Sequence, residues 1–194
     1  MATHGNGAQL GLDTPANRMA TLLRVFQRYL IPGFVGSIYF WLRDRALVSP
    51  SANVQVTRRI RFGRGTVVKT TAIVHSSPGN IVVGADCAIS SFDYITAGTA
   101  DVVVGDNVRI GPHVSILGTT REYRRKDRLI VEQGFRDKGI KIGNDVLIGS
   151  HAVLVDGCEI GDGAVIGVGS VVTGKVEPYS VVFGAPAKVV FWRR

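Results

Sequence analysis

An aliphatic residue stands at every sixth position from Ile142 to Val172: Ile142, Ile148, Leu154, Ile160, Ile166 and Val172. Four positions after each comes a small or β-branched residue, Val146, Ala152, Cys158, Ala164, Ser170 and Val176. Val104, Ile110 and Ile116 keep the same phase, and Val83-Gly-Ala-Asp-Cys-Ala opens another block. A period of six fits neither one amphipathic helix nor one alternating strand. It fits short strands separated by tight corners, with the aliphatic residue inward. Three such units close a triangular coil, and successive coils stack at the strand spacing of about 4.8 Å. Glycine supports this, at 24 of 194 residues, because many corners need it. The small residue fits where the interior narrows at a corner. Cys87 and Cys158 both occupy that position, so they read as buried apolar residues and not as a disulfide or reactive thiols.

The rest of the chain is divided by where this period holds. Residues 1–14 form a small, polar, flexible start. Residues 15–48 read as helical: Thr14-Pro15 marks a helix start, and Met19, Leu22, Leu23, Phe26 and Leu30 make one apolar stripe. Pro32-Gly33 ends that helix, and a second places Phe34, Ile38, Trp41 and Leu42 on one side. The β-helix is expected over 49–183, with a loop excursion over 118–139, followed by a tail at 184–194. From residue 18 to 59 there are seven Arg and one acid, Asp44. The helices read either as a cap or oligomer-contact arm, or as Arg-rich helices resting on an anionic membrane with Phe26, Phe34, Phe40 and Trp41 entering the headgroups.

The net charge of +8 suits an anionic partner such as a phosphate, a nucleotide cofactor or an acidic lipid surface. Nucleic acid is not expected, because Tyr123 is the one aromatic in the basic stretch 121–128 and no stacking platform is evident. The apolar stretch 29–42 contains Pro32-Gly33 and is too short to span a bilayer, which takes about 20 residues. No secretory signal is visible. The expected location is cytoplasmic, with the inner face of the membrane as the surface the helices would meet.

The unbroken hexads, the Ile142-Gly-Asn-Asp-Val-Leu-Ile-Gly-Ser-His151 run and the Gly184-Ala-Pro-Ala-Lys188 ending resemble the galactoside and maltose acetyltransferase branch of the hexapeptide-repeat acyltransferases. The Arg-rich start and the Gln133-Gly134 and Lys138-Gly139-Ile140 stretches resemble O-acetyltransferases of lipopolysaccharide and capsule synthesis. The resemblance implies an all-β solenoid, a left-handed parallel β-helix, against the usual right-handed rule for crossovers. It also implies a homotrimer with sites between β-helices, and acetyl-CoA as co-substrate. The implied activity is direct O-acetylation of a sugar of a cell-surface polysaccharide or its lipid-linked precursor. Two alternatives stay open: a catalytically degenerate member with a structural or regulatory role, and an N-acetyltransferase of a nucleotide-linked amino sugar.

The resemblance also assigns residues. The family carries its basic histidine in the loop, but the matching position here is Arg121, and arginine is not deprotonated usefully near neutral pH. A base is therefore expected elsewhere, with His113 first and His151 second, each at the fourth position of its hexad. Ser91 and Asp93 fall on positions that face the acceptor in the family, and Asp93 is also a catalytic candidate. Arg121 and Tyr123 are expected to touch substrate. Leu147 stands where the family has a tryptophan beside the cofactor, and Gly149, Ala164, Gly167 and Ser170 fall along the expected CoA channel, with Lys188 toward its phosphates. No metal is expected: the γ-class carbonic anhydrases share the β-helix but pair zinc-binding histidines five apart, whereas residue 156 is Asp.

Overall fold

The computed structural model describes residues 32–194. A helix, α1 (Gly33–Asp44), leads into the coils. The first coil is β1 (Leu47–Val48), β2 (Asn53–Val54) and β3 (Ile60–Phe62). The second is β4 (Val67–Val68), β5 (Ile73–Ser76) and β6 (Ile81–Val83). The third is β7 (Ala88–Ile89), β8 (Tyr94–Ala97) and β9 (Val102–Val104). The fourth, β10 (Arg109–Ile110), β11 (Ser115–Gly118) and β12 (Ile140–Ile142), contains the loop. The fifth is β13 (Leu147–Ile148), β14 (Val153–Val155) and β15 (Glu159–Ile160), and the sixth β16 (Val165–Ile166), β17 (Val171–Val172) and β18 (Lys175–Val176). A hairpin of β19 (Ser180–Gly184) and β20 (Ala187–Trp192) ends the stack.

Each coil gives one strand to each of three parallel sheets, which form the faces of the left-handed β-helix. The first sheet runs β1-β4-β7-β10-β13-β16-β19, the second joins β2 to β17 and the third β3 to β18. The hexad residues from Ile142 to Val172 are all buried, as are the small corner residues from Val146 to Val176. Burial pushes the Cys158 thiol up to about 12 and raises Cys87, so neither is a nucleophile at neutral pH.

Coil length explains where the period fades in the sequence. Leu147 and Val165 pair at 18 residues, but Val67, Ala88 and Arg109 pair at 21. The longer coils spend the extra residues on four-residue strands in the second sheet and on the corner that follows.

Two rows of corners adopt a left-handed backbone. Between the third and first sheets the row is Arg45, Gly65, Asp86, Asn107, Asp145, Gly163 and Tyr179, mostly the residues that tolerate φ > 0. Between the first and second sheets it is Thr71 (φ 61), Phe92 (φ 65), His113 (φ 62), His151 (φ 61) and Gly169 (φ 69). Thr71 and Phe92 are side chains that avoid this region, at a cost of about 1–2 kcal/mol each, whereas histidine and glycine enter it more readily.

The first end of the solenoid is closed by α1. Phe40 is fully buried and meets the Phe62 ring edge-on at 5.2 Å. Arg43 donates to Asp44, Tyr39 and the carbonyls of Thr57 and Ile60. Burial alone would raise the Asp44 carboxyl, but bonds from Arg43 and the Phe62 N–H outweigh it and hold it below the usual range. The sequence expectations need three corrections here. Leu47–Val48 already form a strand of the first coil, and Ala187–Trp192 form a strand where a tail was expected. Phe40 is packed inside, so it cannot reach a membrane, whereas Phe34, Ile38, Trp41 and Leu42 do share one side of α1 and are exposed. The stripe from Met19 to Leu30, with Phe26, lies outside the described residues, and so does the expected start at 1–14. No helix among the described residues is long and apolar enough to cross a membrane.

Candidate active site

The corner between the first and second sheets carries an aromatic ladder. Phe92 stacks on His113 with centroids 4.8 Å apart and planes within 4°, and His113 stacks on His151 at 4.8 Å and 3°. The backbone sets this spacing. His113 N–H donates to the Ser91 carbonyl and His151 N–H to the Pro112 carbonyl, so each ring rises by one coil. The next residue in the row is Gly169, whose missing side chain leaves open space above His151. Both imidazoles are thus held by stacking on a rigid corner, with acceptor and donor atoms at the ring edges.

Asp93 does not belong to this exposed set. It is fully buried, in the inward row of Ala72, Val114, Ala152 and Ser170. One carboxylate oxygen accepts the Ser90 N–H at 2.7 Å and the other the Val114 N–H at 2.9 Å. Burial pushes the carboxyl up to about 7, against the bonds from Val114 and Ser90 that favour its charged form. It is a corner-satisfying group that touches no acceptor, which corrects its expected catalytic and substrate-binding roles. Ser91, one step before the ladder, is half-buried, and its hydroxyl lies 3.0 Å from that of Thr70.

The basic loop leaves from the other end of the second sheet. Strand β11 separates His113 from Thr119, so Arg121 and Tyr123 do not cluster with His113 in one chain. Arg121 bridges Phe135 and holds its guanidinium 4.4 Å over that ring, while Tyr123 is exposed. Asp137 ties the loop base down by accepting from Thr99 N–H and hydroxyl, Thr119 hydroxyl and Thr120 N–H. Within one protomer, Arg121 and Tyr123 therefore stand at the other edge of the second sheet from Ser91 and Asp93.

The expected CoA residues also divide. Leu147 lies exposed on the first sheet and Lys188 is exposed on β20. Ala164 and Ser170 point into the core, and Ser170 Oγ accepts the Gly184 N–H, so neither side chain lines an outer channel. Gly167 lies under the Phe183 ring and its N–H is given to Val182. The Gly149 N–H is given to Ile166. What remains outside is Leu147, Lys188, Val168 and the bare corner at Gly169. Sequence reasoning missed Phe92, although it stands 21 residues before His113, one lower coil away.

Comparison with known proteins adds to this geometry. The family model described as bacterial transferase hexapeptide, six repeats, matches residues 139–174. Galactoside O-acetyltransferase of Escherichia coli strain K12 is 36% identical over 118 residues, covering 61% of this chain and 57% of that protein. A chloramphenicol acetyltransferase of Agrobacterium fabrum is 57% identical over 49 residues, 25% of this chain and 23% of the relative. The chain thus spans less than two thirds of these relatives. Among solved structures, a hexapeptide-repeat-containing acetyltransferase from Vibrio cholerae aligns with a TM-score of 0.57 at 24% identity, covering 90% of this chain and 89% of that one. An N-acyltransferase from Bacillus cereus, solved with dTDP and coenzyme A, aligns with a TM-score of 0.70 at 15% identity, covering 78% and 82%. Residues 139–174 thus carry the bacterial transferase hexapeptide repeat, and the chain shares its fold with these hexapeptide-repeat structures.

Proposed function

We propose that the chain is an acetyl-CoA-dependent O-acetyltransferase acting on a sugar hydroxyl of a cell-surface polysaccharide or its lipid-linked precursor. The observation that carries this reading is the ladder: two stacked imidazoles on a left-handed corner, beside an open glycine. His113 takes the proton of the acceptor hydroxyl as the oxygen attacks the thioester carbonyl. The carbon–sulfur bond breaks, and the CoA thiolate leaves and takes up a proton. Val168 and Gly169 border the approach of the thioester, and Lys188 meets the CoA phosphates. Because β11 holds the ladder and the basic loop apart, the loop cations reach a ladder only in a neighbouring copy, which supports an assembly of copies such as a homotrimer. No cluster of three metal-ligating side chains occurs among the described residues, and the chemistry requires none. Release of free thiol from acetyl-CoA, dependent on an added glycan and lost with His113→Ala, tests the reading.

A second reading is N-acetylation of a nucleotide-linked amino sugar. It is favoured by the loop, which brings Arg121 where a histidine would serve a hydroxyl acceptor, since a neutral amine asks less of a base. Hydroxylamine separates the two products, because it cleaves an ester and leaves an amide.

A further inference from the structure

Below the ladder, an open groove of about 560 Å³ lies between α1 and the first strands of the first sheet. Ile38 and Trp41 wall one side, and Leu47, Val48 and Val67 the other. Its polar end is made by Lys69, Thr70 and Ser91. This size is ordinary for a small-molecule site. The groove ends next to the ladder: Ser91, one of its lining residues, precedes Phe92, and the Ser91 carbonyl accepts the His113 N–H at 3.2 Å.

We propose that this groove holds the apolar part of the acceptor, which makes the acceptor an amphiphile: a sugar joined through phosphate to an alkyl or prenyl chain. The inference rests on the transferase reading for the word acceptor, and on the groove itself for the ligand class. A bare sugar would set its hydroxyls against Ile38, Leu47, Val48 and Val67, whose side chains offer no hydrogen bonds, and against the ring of Trp41, which offers one donor. An apolar chain loses nothing there. Lys69 is the one charged group among these lining residues, and a phosphate beside it gains a charge-assisted bond. The surroundings have the same sign. Between residues 33 and 70 the cations are Arg43, Arg45, Arg58, Arg59, Arg61, Arg64 and Lys69, against Asp44 alone. Asp44 is itself bound by Arg43 and Arg61. With the chain in the groove and the phosphate at Lys69, the sugar lies along Thr70 and Ser91 toward His113.

The chain has two tryptophans, Trp41 in the groove and Trp192 on β20. A Trp192→Phe background therefore makes emission a report on Trp41. Titration with n-decyl phosphate below its micelle concentration should give saturable binding and a blue shift. Glucose 1-phosphate and inorganic phosphate should give no shift. Ile38→Asp should weaken decyl phosphate binding roughly tenfold or more, and Lys69→Ala should weaken it by about tenfold. Val103→Asp, exposed on β9, should leave it unchanged. No saturable binding, or an Ile38→Asp variant that binds like the parent, overturns the proposal. So does light scattering that shows a second copy shutting decyl phosphate out as the protein associates. Binding without transfer to any acceptor keeps the groove and overturns the transferase reading. Transfer to free glycosides without amphiphile binding does the reverse.

Discussion

His113 and His151 come from successive coils, yet their rings lie parallel with centroids 4.8 Å apart. Phe92 closes the lower side of His113, while His151 opens upward onto Gly169. His113 is thus sandwiched and His151 is capped on one face. The sandwiched ring is the better-oriented base, since a positioned base needs a fixed rotamer. His113→Ala should lower acetyl transfer by roughly 10²–10⁴-fold with little change in acetyl-CoA affinity. His151→Ala should lower it less. Steady-state kinetics on both single variants and the double variant check this, and wild-type rates in all three would remove the ladder from the chemistry.

Asp93 gives a prediction with a defined sign. Its folded pKa is raised to about 7 from the 3.8 of a free carboxylate. Between those values the folded state holds a proton that the unfolded chain has lost. Its contribution to stability is therefore full below the lower value and is lost as pH rises through about 7. Urea unfolding from about pH 5 to pH 8 should show wild type losing stability relative to Asp93→Asn, whose amide does not titrate. At low pH the variant should itself be weaker by about 1–3 kcal/mol, because its NH₂ faces a backbone N–H. Parallel pH profiles would show that Asp93 does not titrate there.

Asp137 is the clamp of the basic loop. Burial would raise its carboxyl, but the Thr99 and Thr119 donors outweigh this and hold it low. Asp137→Ala removes hydrogen bonds whose donors are exposed or half-buried and can turn to water, at a cost of about 1 kcal/mol, most of it local to the loop base. Trypsin should then cut between Arg121 and Arg128 faster than in wild type. An unchanged cleavage rate would mean that the loop is held by other contacts, such as Arg121 on Phe135.

The hexads made the solenoid legible, because one inward aliphatic per turn leaves few ways to close a coil. They also carried His113 and His151 to one row, since both occupy the same hexad position. Asp93 was misread for a reason visible in the same rows: it stands 21 residues before Val114, in the inward line, but the family likeness drew it outward. The 21-residue lower coils hid that alignment, and they hid Phe92 with it. The distance between loop and ladder was not legible. His113 and Thr119 are close in sequence, but β11 runs between them and puts them on opposite edges of one sheet. Ala164, Gly167 and Ser170 failed as channel residues because a β-helix coil is one strand thick, so a shift of one residue exchanges inside for outside.

The open corner at Gly169 offers a last test. Its N–H is bound to the Ser150 carbonyl and its φ of 69 is left-handed, so the position continues the row of His113 and His151 without a side chain. If the thioester passes over this corner to reach His151 and His113, any side chain there narrows the path. Gly169→Ala costs about 1–2 kcal/mol for a left-handed alanine, well below the typical stability of a domain. A larger substitution, Gly169→Phe, would add a ring above His151 and extend the ladder into the passage. The KM for acetyl-CoA should then rise by roughly tenfold or more for Phe and less for Ala, with both variants folded by circular dichroism. Gly174 has the same open surroundings without a left-handed backbone, so Gly174→Ala serves as the control and should leave KM unchanged. Equal KM values for Gly169→Phe and wild type would move the thioester off this corner and away from the ladder.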